Sequence, residues 1–173
     1  GTTLREIIEE IGGGIPRGKK FKAAQTGGPS GGCIPDHLID TPMDYDNLLA
    51  IGTMMGSGGL IVMDEDTCMV DISKFFLEFT VDESCGKCTP CREGLRQMRA
   101  ILTDICEGRG QEATSSCSSA SGTRWRTHRC ARSAAPPPTP CSPPSKFFRN
   151  EYEAHIRERR CPAASAPSSR VAH

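Results

Sequence analysis

The chain has 173 residues and a balanced charge, with 21 Lys and Arg against 21 Asp and Glu. That balance lacks the basic excess with which proteins neutralise phosphates, so nucleic-acid binding is excluded as an expectation. No apolar run approaches the ~18 residues of a membrane span, and Gly1-Thr2-Thr3-Leu4 has neither the basic nor the apolar region of a signal peptide. The expectation is a cytoplasmic protein with no direct membrane insertion, and the missing initiator Met points to a chain cut from something longer.

In chain order, Leu4, Ile7, Ile8 and Ile11 fall on one stripe of a helix that Gly12-Gly13-Gly14 ends. Phe21 to Gln25 reads as a short strand. Gly27-Gly28-Pro29-Ser30-Gly31-Gly32-Cys33-Ile34-Pro35 reads as a loop too rich in Gly for a regular element, either a plain turn or a place of close backbone approach. A short helix around Leu48-Leu49-Ala50 and the strand Leu60-Ile61-Val62-Met63 follow. The strand is closed by Asp64-Glu65-Asp66, which reads as a solvated turn. Residues 1–71 thus have the content of a small α/β unit.

From residue 72 the period changes to helical. Ile72, Phe75, Phe76 and Phe79 form one stripe and Leu95, Met98, Leu102 and Ile105 another. Residues 113–145 are crowded with Ser, Arg, Ala and Pro, show no period, and read as a disordered linker. An amphipathic helix returns over 146–156, with Phe148, Tyr152 and Ile156 aligned, and ends at Cys161-Pro162. The expected class is α+β: one unit over 1–71, a helical unit over 72–163, and a disordered tail over 164–173.

Ten cysteines without a signal peptide point to metal rather than disulfides. Between the two helical stripes lies Glu83-Ser84-Cys85-Gly86-Lys87-Cys88-Thr89-Pro90-Cys91-Arg92-Glu93-Gly94, a C-x2-C-x2-C run of the kind that wraps an iron–sulfur cubane. Zinc more often uses two separated C-x2-C knuckles, and no second knuckle is present, so a zinc-stabilised interaction module is the alternative and a metal-free fragment the third reading. Lys87 and Arg92 are placed to offset the charge of the thiolates, and Gly86 and Gly94 to relieve crowding. A cubane needs a fourth ligand. Cys106 falls on an apolar helix face and Cys33 and Cys68 read as structural, which leaves Cys130 beside Cys85, Cys88 and Cys91. His37, His128, His155 and His173 lie in unrelated contexts and read as exposed polar surface. No Ser/His/Asp or Cys/His nucleophile arrangement is visible.

The strings Gly27–Pro35, Asp40–Tyr45, Met55–Met63 and Glu83–Gly94 closely resemble the flavoprotein subunit of NADH dehydrogenase, especially its version in NAD(P)-linked iron hydrogenases and formate dehydrogenases. The resemblance implies a β-grasp (ubiquitin-like) domain followed by a helical bundle carrying one [4Fe–4S] cluster. FMN and NAD(P) are expected only in the intact subunit, whose flavin domain is not matched here. It also implies electron transfer from flavin through the cluster to partner iron–sulfur subunits, including a 2Fe–2S thioredoxin-like subunit and a hydrogenase or dehydrogenase subunit. Residues 113–145 depart from the family pattern. One back-translation of Ala113–Cys130, regrouped in another frame, reads as a clean amphipathic helix. The same device turns Ala164-Ser165-Ala166 into Gly-Val-Cys. A frameshift is therefore the expectation for 113–145 and 164–173, with the family's fourth cysteine straddling positions 130 and 131. Codons in the coding DNA that cannot be regrouped this way would overturn it.

Overall fold

Thr3 opens the first helix by a reciprocal cap: its hydroxyl accepts from the Glu6 N–H while the Glu6 carboxylate accepts from the Thr3 N–H. This satisfies donors at a helix start that have no partner within the helix. Helix α1 (Leu4–Glu6) runs directly into a wider π-helical turn over Ile7–Ile11, and Gly12 caps its end. In this computed structural model, residues 1–29, 31–110 and 147–163 are described. The chain divides into two compact units, Gly1–Thr67 and Cys68–His173.

The first unit is built on a three-stranded antiparallel sheet. Strand β1 (Phe21–Thr26) lies in the middle, flanked by β2 (Gly32–Pro35) and β3 (Leu60–Asp64). Ala23 to Thr26 pair with Pro35 to Gly32, and β1 pairs with β3 from Phe21 opposite Asp64 to Thr26 opposite Leu60, with an irregularity between Phe21 and Ala23. Helix α2 (Tyr45–Ala50) starts at Asp44, whose carboxylate accepts from the Asn47 N–H. Leu4, Ile8, Ala24, Ile34, Ile39 and Leu48 make the core of this unit.

The Gly-rich stretch is partly strand, contrary to the expectation of a loop throughout. Gly32 to Pro35 are buried and laddered to β1, and cross-strand hydrogen bonds outweigh the entropic cost of one glycine. The close backbone approach expected of this stretch is made to its own chain. A Cβ on Gly31 would fall 1.7 Å from the Thr26 carbonyl oxygen, and one on Gly56 2.8 Å from the Gly27 Cα.

The second unit is helical. Helix α3 (Met69–Asp82) and α4 (Thr89–Cys106) pack together, and α5 (Arg149–Glu153) continues as a π-helical turn over Ala154–Glu158 that stops at Arg159 in the left-handed conformation. The α4 stripe is as expected: Leu95, Met98, Leu102 and Ile105 are all buried. The α3 stripe is not. Phe75 and Phe79 are 62% and 50% exposed, while Met69, Val70, Ser73, Phe76 and Leu77 form the buried face. Four bulky residues at helical spacing suggested a core stripe, yet the face is rotated by about a residue because small Ser73 lies against the partner helix. Its hydroxyl accepts from Tyr152 Oη at 2.8 Å and donates to the Met69 carbonyl at 2.7 Å. On α5, Tyr152 and Ile156 are buried, whereas Phe148 is only partly so.

Candidate iron–sulfur site

Helix α3 ends at Asp82, and α4 begins at Thr89 with Cys88 as its N-cap and Pro90 in its first turn. Proline suits the first turn, where its missing N–H costs nothing. The short connection between these helices therefore carries Cys85 and Cys88, while Cys91 belongs to the first turn of α4. Cys85 and Cys88 are exposed and Cys91 is half-buried. Gly86 takes a φ of +66°, a conformation that side chains bearing a Cβ seldom adopt, so the tight fold of this loop depends on it.

Two side chains brace the loop. The Ser84 hydroxyl and the Cys91 sulfur lie 3.2 Å apart in a hydrogen bond, and the Gly86 N–H donates to the Ser84 oxygen at 3.3 Å. Arg92 Nη1 donates to the Gly86 carbonyl at 2.9 Å, while its Nε pairs with Glu93 at 3.0 Å. Arg92 thus stiffens the loop, and because Glu93 neutralises much of its charge, the expected offset of thiolate charge is a lesser role. Sequence reasoning passed over Ser84; the only signal was a hydroxyl just before the first cysteine.

The residues present fit a cubane. A [4Fe–4S] cluster binds each thiolate through a different iron, so its sulfurs are spread more widely than the ligands of a single ion. Cys85 and Cys88 in the connection and Cys91 in the first turn of α4 have the spacing with which a cubane takes three thiolates from one short stretch. The Ser84 hydroxyl is placed to donate to Cys91 once that sulfur is a thiolate. Cys130 lies outside the described residues. Cys106 is fully buried in the α3/α4 core, where loss of water pushes its thiol up to about 12, as befits an inert core residue. Cys33 is likewise buried, its thiol pushed up to about 12 by the same cause.

His155 corrects the expectation of exposed polar surface: it is fully buried. Its spacing from Tyr152 and Ile156 carries it onto the inner side of the helix as the π-helical turn widens. Cys68, first residue of the second unit, and Cys161, just past α5, lie beside it, with Cys68 Sγ and His155 Nε2 3.4 Å apart. Burial, with Cys161 close by, pushes the Cys68 thiol up to about 12. No helix among the described residues is long and apolar enough to cross a membrane.

Comparison with known proteins meets this geometry at the same place. Residues 71–155 match the NADH-ubiquinone oxidoreductase-F iron–sulfur binding region. The HndC subunit of the NADP-reducing hydrogenase of Solidesulfovibrio fructosivorans is 49% identical over 164 residues, covering 94% of this chain and 33% of its own length. A second F-type subunit of NADH-quinone oxidoreductase, that of Rhizobium meliloti, is 41% identical, covering 94% of this chain and 38% of its own. The chain thus spans about a third of the length of these relatives. A crystal structure of an NAD+-reducing [NiFe]-hydrogenase in the H2-reduced state shares the fold, with a TM-score of 0.73 at 23% identity over 94% of this chain and 27% of that one.

Proposed function

We propose that this chain, which belongs through residues 71–155 to the NADH-ubiquinone oxidoreductase-F iron–sulfur family, is the electron-transfer end of a larger NAD(P)H-linked oxidoreductase subunit. Cys85, Cys88 and Cys91 bind a [4Fe–4S] cluster with a fourth thiolate, for which Cys130 is the candidate. The observation that carries the reading is the C-x2-C-x2-C loop held between α3 and α4, with a hydroxyl bonded to the Cys91 sulfur. When bound, the cluster supplies one-electron chemistry at a potential set by its ligands, hydrogen bonds and exposure.

The chain's own residues do the rest. Gly86 lets the backbone fold back over the site, Arg92 fixes that fold through the Gly86 carbonyl, and Ser84 donates to the Cys91 thiolate. Exposure of Cys85 and Cys88 puts the site at the surface of its unit, where an electron can pass to or from another subunit over a short distance. The electron source is flavin reduced by NAD(P)H, bound by a part of the subunit beyond this chain. The acceptors are partner iron–sulfur subunits, a 2Fe–2S thioredoxin-like subunit and a hydrogenase or dehydrogenase subunit. The names of the relatives, a subunit of an NADP-reducing hydrogenase and a subunit of an NADH-quinone oxidoreductase, support a nicotinamide-linked reaction and a place among partner subunits. The first unit is read as a β-grasp domain, a reading that its three-stranded antiparallel sheet and helix α2 support. A cytoplasmic setting agrees with thiols placed as metal ligands in a C-x2-C-x2-C loop.

Anaerobic reconstitution with iron and sulfide tests the reading. About four irons per chain and a reduced-cluster EPR signal, both lost in Cys85→Ser, support it. A colourless protein that takes up zinc at these cysteines and no iron overturns it.

A further inference from the structure

We propose that the exposed face of α3 carrying Phe75 and Phe79 is the docking surface for the iron–sulfur subunit that takes electrons at the cysteine loop, a partner presenting an apolar patch ringed by basic side chains. The inference rests on the electron-transfer reading above. Phe75 and Phe79 are both exposed and stand one turn apart on the same side of the helix. Single apolar side chains at a surface are ordinary. These two form a continuous aromatic patch that leads to a redox loop. Phe75 is also held in place, its ring centroid 5.7 Å from that of buried Phe76 and its plane tilted by 58°. An aromatic side chain fixed by its neighbour before binding loses little freedom when a partner covers it.

Position ties this face to the loop. Helix α3 ends at Asp82. At about 1.5 Å of rise per residue, Phe79 lies about 5 Å and Phe75 about 11 Å along the axis from that end. Exposed Cys85 follows directly in the connection. A stable interface covers about 800 Å2 on each partner, a patch about 16 Å in radius, so one seated on the loop reaches both rings. The border of the patch is acidic. Glu78 and Asp82 lie beside the rings on the same helix, and Glu83 follows at its end. Asp82 and Glu83 are exposed and belong to no ion pair among the described residues, while Glu78 meets only Lys74, at 3.9 Å. Such a border selects a basic ring on the partner, which speeds encounter and fixes orientation. The flavin part of the same polypeptide is held close by the chain itself. A separate subunit must offset its lost translational and rotational freedom, and buried aromatic anchors do this. The phenylalanine pair supplies such an anchor.

The test uses the whole subunit that carries this chain, purified in its complex. A photoreactive benzoylphenylalanine placed at position 75 or 79 is expected to cross-link to a second polypeptide that itself holds an iron–sulfur cluster. The reduced-cluster EPR signal, recorded on the same samples, reports separately on the cluster at Cys85, Cys88 and Cys91. The cross-linked polypeptide, expressed with its own cluster, is then the probe for affinity. Phe75→Ala and Phe79→Ala are each expected to weaken its binding about tenfold. Asp82→Lys combined with Glu83→Lys is expected to slow association and reduce its dependence on salt. Tyr45→Ala, at an exposed aromatic of the first unit, is the control and leaves binding unchanged. Cross-links only to the flavin part of the same subunit, only to a second copy of this chain, or to nothing, with the EPR signal intact, would each overturn the proposal. So would an unchanged affinity in both alanine variants. A cross-link to the iron–sulfur polypeptide from a subunit without the EPR signal would support the docking face and sink the cluster assignment alone.

Discussion

Removing the Ser84 hydroxyl is the sharpest probe of the loop. In Ser84→Ala the Cys91 sulfur loses its donor at 3.2 Å, and the Gly86 N–H loses its acceptor. A hydrogen bond to a charged group is worth about 1.5–3 kcal/mol. Reduction adds one negative charge shared among four irons and their sulfurs, so roughly a third of that value, about 0.5–1 kcal/mol, distinguishes the reduced from the oxidised state. With about 59 mV per tenfold change for one electron, the midpoint potential falls by about 20–40 mV. The assay is a redox titration of the reconstituted chain followed by EPR, with iron counted in the same samples. Ser84→Thr retains the donor and is expected to restore the original potential. A full complement of iron with an unchanged or raised potential in Ser84→Ala would refute the reasoning.

The rotated face of α3 predicts that Phe76→Ala costs about 3–5 kcal/mol while Phe75→Ala, at an exposed position, stays within about 0.5 kcal/mol. Urea denaturation of the two variants decides between this face and the stripe of four bulky residues, which would make the costs similar. In the first unit, Gly31→Ala forces a Cβ against the Thr26 carbonyl and is expected to destabilise that unit by about 1–3 kcal/mol, read as a drop in its thermal midpoint; an unshifted midpoint would mean that the turn relaxes freely. The Lys19 ammonium lies 2.9 Å from an Asp64 oxygen, and Thr67 donates to the other at 2.8 Å, which together hold the Asp64 carboxyl below the usual carboxylate range. A carboxyl lowered by folding contributes stability above its unfolded pKa of about 3.9 and loses it as pH falls through the lower folded value. Lys19→Ala should therefore lower stability at neutral pH and flatten its decline below about pH 4; an acid profile parallel to that of the parent chain would count against the pairing.

That Lys19–Asp64 pair also marks a limit of local reading. Asp64-Glu65-Asp66 looks like a solvated turn because its neighbours in sequence are acidic, whereas its partner comes from the segment before β1. Periodicity placed α4 and its buried side correctly because Leu95, Met98, Leu102 and Ile105 alternate with Arg96, Gln97 and Arg99, leaving only one apolar face. On α3, Phe75, Phe76 and Phe79 made the pattern apolar over a wider arc, and only the position of Ser73 under the Tyr152 hydroxyl selects which part is buried. An apolar arc that wide, bounded by Asp71, Lys74, Glu78 and Asp82 on the other side, does not fix which part of it is buried.

The same distinction separates the cysteine loop from the buried group Cys68, His155 and Cys161. Cys85, Cys88 and Cys91 are legible because a cubane takes ligands from one short loop, so the chemistry is written in consecutive spacing. Cys68, His155 and Cys161 carry no such spacing: the ligand atoms meet only after α5 has packed in the same unit as α3, and each residue taken singly looks ordinary. Cys68 reads as a core thiol before a helix, His155 as a polar residue between charges, and Cys161 as a helix end. What identifies them is the coincidence of burial with three donor atoms within 4.8 Å of one another.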